Sequence, residues 1–178
     1  AKDPRLLVVA SGVPASLGLD ARMRAQLGDH YIDVGIAEQT AVAVASGAAK
    51  GGAHVVYGTE ATFIQRAYDQ LFQDLSINQN PATILVFDAS LYGMNDITHV
   101  GFYDIAMMSN IPGLVMLAPA TWEEYKAMLD WSIDQTDHPA IILVPALAPR
   151  HEDPSQVRTD YSQLGKARVI SQGEDSQV

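Results

Sequence analysis

Short apolar runs alternate with helix-patterned segments along the whole 178-residue chain, and no other feature constrains the fold as strongly. The apolar runs fall at 6–10, 31–34, 55–57, 83–87, 114–117 and 141–144. They are rich in Val, Ile and Leu and seldom alternate with polar residues, the pattern of strands covered on both faces. Helical patterns occupy 18–27, 38–50, 62–78, 103–109 and 121–134. Within 62–78, Phe63, Ile64, Ala67, Tyr68, Leu71, Phe72 and Leu75 recur at helical spacing and predict one buried stripe. Thr121 followed by Glu124 predicts a capping box at the start of the last helix.

Strict β-α alternation predicts an α/β fold: a doubly wound, mainly parallel sheet with helices on both faces. Ligands in such folds gather in loops after the carboxyl ends of strands. That rule directs attention to 35–38, 58–63, 88–101 and 119–121. Beyond Pro145 the sequence becomes rich in Pro and charge and loses periodicity, then turns strand-like at 167–170. The expected organisation is one α/β domain over 1–145. An arm or linker over 146–178 would then lead into a C-terminal domain that this chain lacks.

Composition narrows the class. With 48% hydrophobic and 18% charged residues the chain is globular rather than disordered. A formal net charge of −10 argues against a nucleic-acid partner, which needs clustered Lys and Arg. The absence of cysteine excludes disulfides and thiolate metal sites. No apolar run reaches the ~18 residues of a membrane-spanning helix, and residues 1–5 carry no signal-peptide pattern, so a cytoplasmic location is expected.

Three stretches carry candidate chemistry. Glu38 stands where a strand-like run gives way, through Gly35, to a helix of small residues. Two readings are open. It is a first-turn acid favoured by the helix dipole, worth about 0.3–1 kcal/mol, or a carboxyl shielded from water that trades a proton with a ligand nitrogen. In GTEATFIQRAYDQ (58–70), Phe63 reads as core or as a ring for a ligand, and Arg66 as a surface pair or a site cation. In DASLYGMNDITHVG (88–101), Asn95, Asp96, Thr98 and His99 follow a strand's carboxyl end. His30, His54, His138 and His151 have no metal-ligand spacing. No P-loop, nucleophile elbow, dinucleotide fingerprint or H-E-x-x-H is present.

Taken in order, DVGIAEQTAV (33–42), TFIQRAYDQ (62–70), QNPATILVFD (79–88), THVG (98–101), LAPAT (117–121) and LGKARVISQGED (164–175) resemble the pyrimidine-binding domain of the transketolase family. That family of thiamine diphosphate enzymes includes 1-deoxyxylulose-5-phosphate synthase. The resemblance implies that Glu38 hydrogen-bonds N1′ of the cofactor's aminopyrimidine and so prepares the thiazolium to attack a ketose carbonyl. It further implies that Phe63 stacks on the pyrimidine, that Ile36 and Arg66 contribute to cofactor binding, and that His99 faces the substrate's oxygens.

The family binds the diphosphate through Mg2+ on a separate domain with a G-D-G…N signature, which does not occur here. The resemblance therefore implies half a cofactor site, inactive alone and completed by a diphosphate-binding domain, in a homodimer acting on sugar phosphates. Where the synthases carry phosphate-holding arginines, this chain has Ala89 and Leu143 or Ala146, and Thr40 replaces a histidine common after E-Q. The leading expectation is transfer of two-carbon ketol units. The synthase and the β-subunit of a 2-oxoacid dehydrogenase stand as enzymatic alternatives, and a non-catalytic assembly domain as one of another class.

Overall fold

The computed structural model describes residues 3–89, 98–144 and 150–165. Asn95, Asp96, Ala146 and the strand-like run 167–170 lie outside them. Among the described residues six strands form one sheet: β1 (Leu6–Ala10), β2 (Tyr31–Asp33), β3 (His54–Glu60), β4 (Thr83–Phe87), β5 (Val115–Leu117) and β6 (Ala140–Leu143). All pair in parallel, in the order β2-β1-β3-β4-β6-β5. Strand β3 runs on past Tyr57, where its sequence pattern stops. Gly58 pairs with Ala10 on one side and Leu85 on the other, so two neighbours hold a residue of poor strand propensity in the sheet.

The order reverses at β1. The chain leaves β1 toward β2 on one side, then returns to lay β3 on the other. That reversal opens a crevice beyond the carboxyl ends of β1 and β3. Helix α2 (Glu38–Lys50) starts there. Its small residues Ala41, Val42, Ala45 and Ala49 are buried, and the strands contribute Val9, Val55, Tyr57, Ile84, Val86 and Ile141 to the same core. Ser46 donates to Asp74 O at 2.7 Å and accepts from Asn80 Nδ2 at 2.7 Å, which ties α2 to the next helical layer.

That layer is the predicted helix over 62–78, but it is not one regular helix. It comprises α3 (Ala61–Ile64), a 3₁₀ turn (Gln65–Ala67), α4 (Tyr68–Gln70) and a π-helical stretch (Leu71–Ser76). The tight turn and the wide one rotate the apolar stripe. Ile64, Ala67, Leu71 and Leu75 are fully buried, whereas Phe63 and Phe72 are half-buried. Tyr68 leaves the stripe altogether: it is 38% exposed and donates its hydroxyl to Asn110 Oδ1 at 2.6 Å. Helix α1, the seven-residue Ala21–Leu27, has no buried residue, so it crosses the surface rather than the core.

The opposite face of the sheet is covered by α6 (Trp122–Asp134). Leu85, Val115, Leu117, Met128, Ala140, Ile142 and Tyr161 form its core. Thr121 caps α6 by accepting from Glu124 N at 3.0 Å, while Glu124 reaches back to Ala120 N at 2.9 Å, one residue earlier than a capping box predicts. Residues 150–165 return to this face. Tyr161 is buried against Trp131, their ring centroids 6.0 Å apart, and Arg158 lies over the Tyr161 ring. Helix α5 (Asp104–Met108) closes the first face. Among the described residues no helix is long and apolar enough to cross a membrane.

Candidate functional site

Glu38 is the first residue of α2, preceded by Ala37, which offers no side-chain cap. It is 1% exposed. A first-turn acid explains where the residue sits but not why it is buried, since the dipole acts equally well on a carboxylate in water. Its Oε2 is fully buried and accepts no hydrogen bond among the described residues. Its nearest cation is Arg66, with Nη1 at 3.7 Å from Oε2, and the Arg66 side chain is 60% exposed. A guanidinium in water at that distance screens the carboxylate only weakly. A buried carboxylate oxygen without a partner is costly to maintain, and its natural explanation is a ligand group.

Phe63 lies one helical turn before Arg66. It belongs to neither core cluster. Its ring meets that of His99 edge-on, with centroids 5.3 Å apart and planes at 88°. Thr62 Oγ1 donates to Thr98 O at 2.6 Å, and Thr98 Oγ1 lies 2.7 Å from His99 Nδ1. These bonds fasten Thr98 to the start of α3, so exposed His99 is held beside the ring.

Ile36 is 78% exposed in the turn before α2, where it sits against Gly12. A Cβ at Gly12 would stand 3.1 Å from Ile36 Cγ1, and Gly12 has a φ of +75°, so glycine suits the position twice over. Asp33 sets this turn. It accepts from Gly35 N at 2.9 Å and Gly12 N at 3.2 Å, and the Tyr31 hydroxyl donates to it at 3.2 Å. Desolvation works against its charge, but the two backbone donors and the phenol prevail and hold its carboxyl below the usual range.

The structure thus brings Glu38 to Arg66 and Phe63 to His99, with Ile36 in the turn that leads to Glu38. Sequence reasoning missed other residues. Tyr57 on β3 is fully buried, and its hydroxyl lies 2.8 Å from Ser11 Oγ. Burial raises its pKa, and the charge of nearby Glu38 raises it further. The available signal was a phenol between Val56 and Gly58 in an otherwise apolar strand, because a buried Tyr hydroxyl needs a partner. Asp104, the first residue of α5, is 2% exposed, with its Oδ2 unpartnered among the described residues. Its sequence signal is only that of another first-turn acid. The same residues include no group of three His, Asp or Glu able to hold a metal ion.

An α/β sheet with a buried carboxylate at its switch point and an aromatic ring nearby is a candidate ligand site, and sequence comparison defines the class of the chain. The chain belongs to the transketolase pyrimidine-binding domain family, whose model matches residues 1–150. Its relatives include the 1-deoxy-D-xylulose-5-phosphate synthase of Symbiobacterium thermophilum, 35% identical over 175 residues. That match covers 98% of this chain and 26% of the relative. The same-named enzyme of Synechococcus sp. (strain JA-3-3Ab) is 34% identical over 172 residues, 97% of this chain and 26% of that one. The chain therefore spans about a quarter of the length of these relatives.

Solved structures share the fold. A split-gene transketolase, described as an inactive β4 tetramer, superposes with a TM-score of 0.72 at 20% identity, covering 88% of this chain and 50% of that one. A Pichia stipitis transketolase complexed with sedoheptulose 7-phosphate gives the same TM-score and identity, over 83% of this chain and 24% of that one.

Proposed function

We propose that this chain is the pyrimidine-binding part of a thiamine diphosphate-dependent, transketolase-like enzyme that transfers two-carbon ketol units between sugar phosphates. The observation that carries this reading is the buried Oε2 of Glu38, without a hydrogen-bond partner, at the switch point of a sheet of this family. The residues present fit the cofactor's aminopyrimidine. Glu38 offers a carboxyl oxygen shielded from water to a ring nitrogen, and Phe63 offers a half-buried ring outside the core.

When bound, thiamine diphosphate supplies the carbon nucleophile and the electron sink that ketol transfer requires. The chain's own residues do the rest. Glu38 holds and returns a proton at the ring nitrogen, in a setting where water cannot compete for it. Phe63 stacks against the pyrimidine and Ile36 borders it. Arg66 tempers the charge of Glu38 without quenching it, because its guanidinium stays in water. His99, fixed against Phe63 and Thr98, addresses the oxygens of the substrate. The diphosphate and its Mg2+ belong to a separate domain, and the working assembly is a cytoplasmic homodimer. Residues 1–145 form the domain, and 146–178 lead from it toward a further one.

A second reading has specific support: the relatives at 34–35% identity are 1-deoxy-D-xylulose-5-phosphate synthases. Against it stand Ala89 and Leu143 or Ala146, where the resemblance places the synthases' arginines. Leu143 is 5% exposed in the core, so that position points inward and offers no phosphate contact.

The test uses the full-length enzyme with thiamine diphosphate and Mg2+, and identifies products by mass spectrometry. Ketol exchange between sugar phosphates is the expected result, and accumulation of 1-deoxy-D-xylulose 5-phosphate would establish the second reading. The isolated 178-residue chain is expected to turn over neither substrate set. Robust turnover by it alone would overturn the half-site.

A further inference from the structure

The loop that leaves β1 holds one residue in a conformation that its side chain opposes. Val13 has a φ of +42°, in the left-handed region. The described residues hold two other non-glycine positions at positive φ, Gln79 and Asp88, and neither is β-branched. A β-branched residue in that region is a genuine outlier. Pro14 follows Val13, and the residue before a proline favours extended backbone at negative φ. Two steric rules are thus broken at one position.

The strain is held from several sides. Val13 O accepts from Ser16 N at 3.1 Å and from Ser16 Oγ at 2.9 Å. Ser16 Oγ also lies 3.1 Å from Glu60 Oε1, at the end of β3. Leu17 is 8% exposed and packs over Gly58. On the other side, Asp33 holds Gly12 N. None of these interactions uses the Val13 side chain, which is 52% exposed, so the core does not call for it either. Glycine would keep the same bonds without strain. A strained residue that packing does not require points to contact with a ligand, because strain of this kind gathers at functional sites. The place agrees. Val13 stands beyond the carboxyl end of β1, at the crevice where the strand order reverses. It follows Gly12, against which Ile36 sits, two residues before Glu38.

We propose that Val13 is a ligand-contact residue of the candidate site, whose isopropyl group offers an apolar surface to the bound cofactor from the β1 side of the crevice. The pinned loop fixes where that surface stands. A group fixed before binding loses little freedom when the ligand arrives, so more of the contact appears as affinity. The inference rests on the proposed pyrimidine-binding role of the site, so its test must be able to fail separately.

The experiment compares Val13→Gly, Val13→Asn, Val13→Ile and Glu38→Gln in the full-length enzyme. Three quantities are measured: the melting temperature of the cofactor-free protein, the thiamine diphosphate Kd by calorimetry, and kcat. Val13→Gly is expected to raise the melting temperature, because glycine adopts positive φ freely. It should also weaken Kd roughly tenfold, the equivalent of one buried valine side chain. Val13→Asn, whose short polar side chain tolerates the left-handed region, should hold or raise the melting temperature and lose the same affinity. Val13→Ile keeps a branched apolar group and should keep Kd within about threefold of wild type. Stability and affinity then move in opposite directions, which a merely structural residue would not produce. Wild-type Kd in both Val13→Gly and Val13→Asn would overturn the contact. A melting temperature that falls together with affinity in both would make Val13 structural instead. Wild-type activity in Glu38→Gln would overturn the reading of the site itself, whatever the Val13 variants show.

Discussion

The two faces of the sheet are built from the same strands but differ in the charge they bury. On the α6 face, buried Thr83 and Ser132 have neutral partners: Thr83 donates to Ser132 Oγ at 3.1 Å, and Ser132 donates in turn to Leu129 O at 3.0 Å. On the α2 face, two carboxylates are buried, Glu38 and Asp104, each with an oxygen lacking a partner among the described residues. One face is finished as a core. The other is left electrically open at the end where the strand order reverses. Burying an unpartnered carboxylate costs stability, and a fold carries that cost where a ligand later provides the partner.

The sharpest way to break this contrast is Glu38→Ala in the full-length enzyme. Activity should fall about 10²–10⁴-fold, the range of a lost proton-transfer group. The melting temperature should hold or rise, because removing an unsatisfied buried charge relieves the fold. A large drop in melting temperature would mean that Glu38 is structural.

Ile142→Ala is the opposite experiment on the α6 face. Ile142 is fully buried among Leu85, Met128 and Tyr161. Truncation should cost about 2–5 kcal/mol in denaturant unfolding, with kcat per folded molecule unchanged. Phe63→Ala should act between these extremes. Losing the stacking ring should weaken thiamine diphosphate binding by roughly 2- to 12-fold in calorimetry, since such a contact is worth about 0.5–1.5 kcal/mol beyond burial. Unaltered affinity would place the ring outside the cofactor's reach.

The smallest effect lies at the exposed edge of the α6 face. His151 donates to Glu123 at 2.9 Å and Glu152 N donates at 3.0 Å, which hold the Glu123 carboxyl below its usual value of 4.5. A depressed carboxyl stabilises the folded state above the unfolded value and loses that contribution as pH falls through the folded one. Glu123→Gln should therefore flatten the fall in melting temperature on the acid side of pH 4.5 and leave activity at neutral pH unchanged.

Much of this architecture is legible along the chain. The apolar run 83–87 became β4 with both ends as predicted, and the helix expected over 38–50 has those bounds. Strands buried on both faces are unbroken apolar runs, so their hydrophobicity announces them. The candidates Phe63, Arg66 and His99 were chosen from residue type and from their place after a strand's carboxyl end. Tyr68 and Tyr57 show the limit. Both are tyrosines in apolar stretches, yet one left its stripe because a 3₁₀ turn and a π-helical stretch changed the helical phase. The other was brought to Ser11 by a register with β1 that local sequence does not encode.

The sequence by itself determined the alternation of elements, the net charge of −10, and the carboxylate at the start of α2. Those follow from side-chain chemistry and short-range periodicity, which a linear pattern carries. Only the tertiary structure decided that Glu38 is buried rather than solvated, and that Arg66 reaches it from solvent. Only there do the phenol of Tyr57 and the hydroxyl of Ser11 meet, although the two are 46 residues apart in the chain. Burial and strand order are properties of the closed sheet. Whether a first-turn acid is a dipole ornament or a proton partner depends on which neighbours exclude water from it.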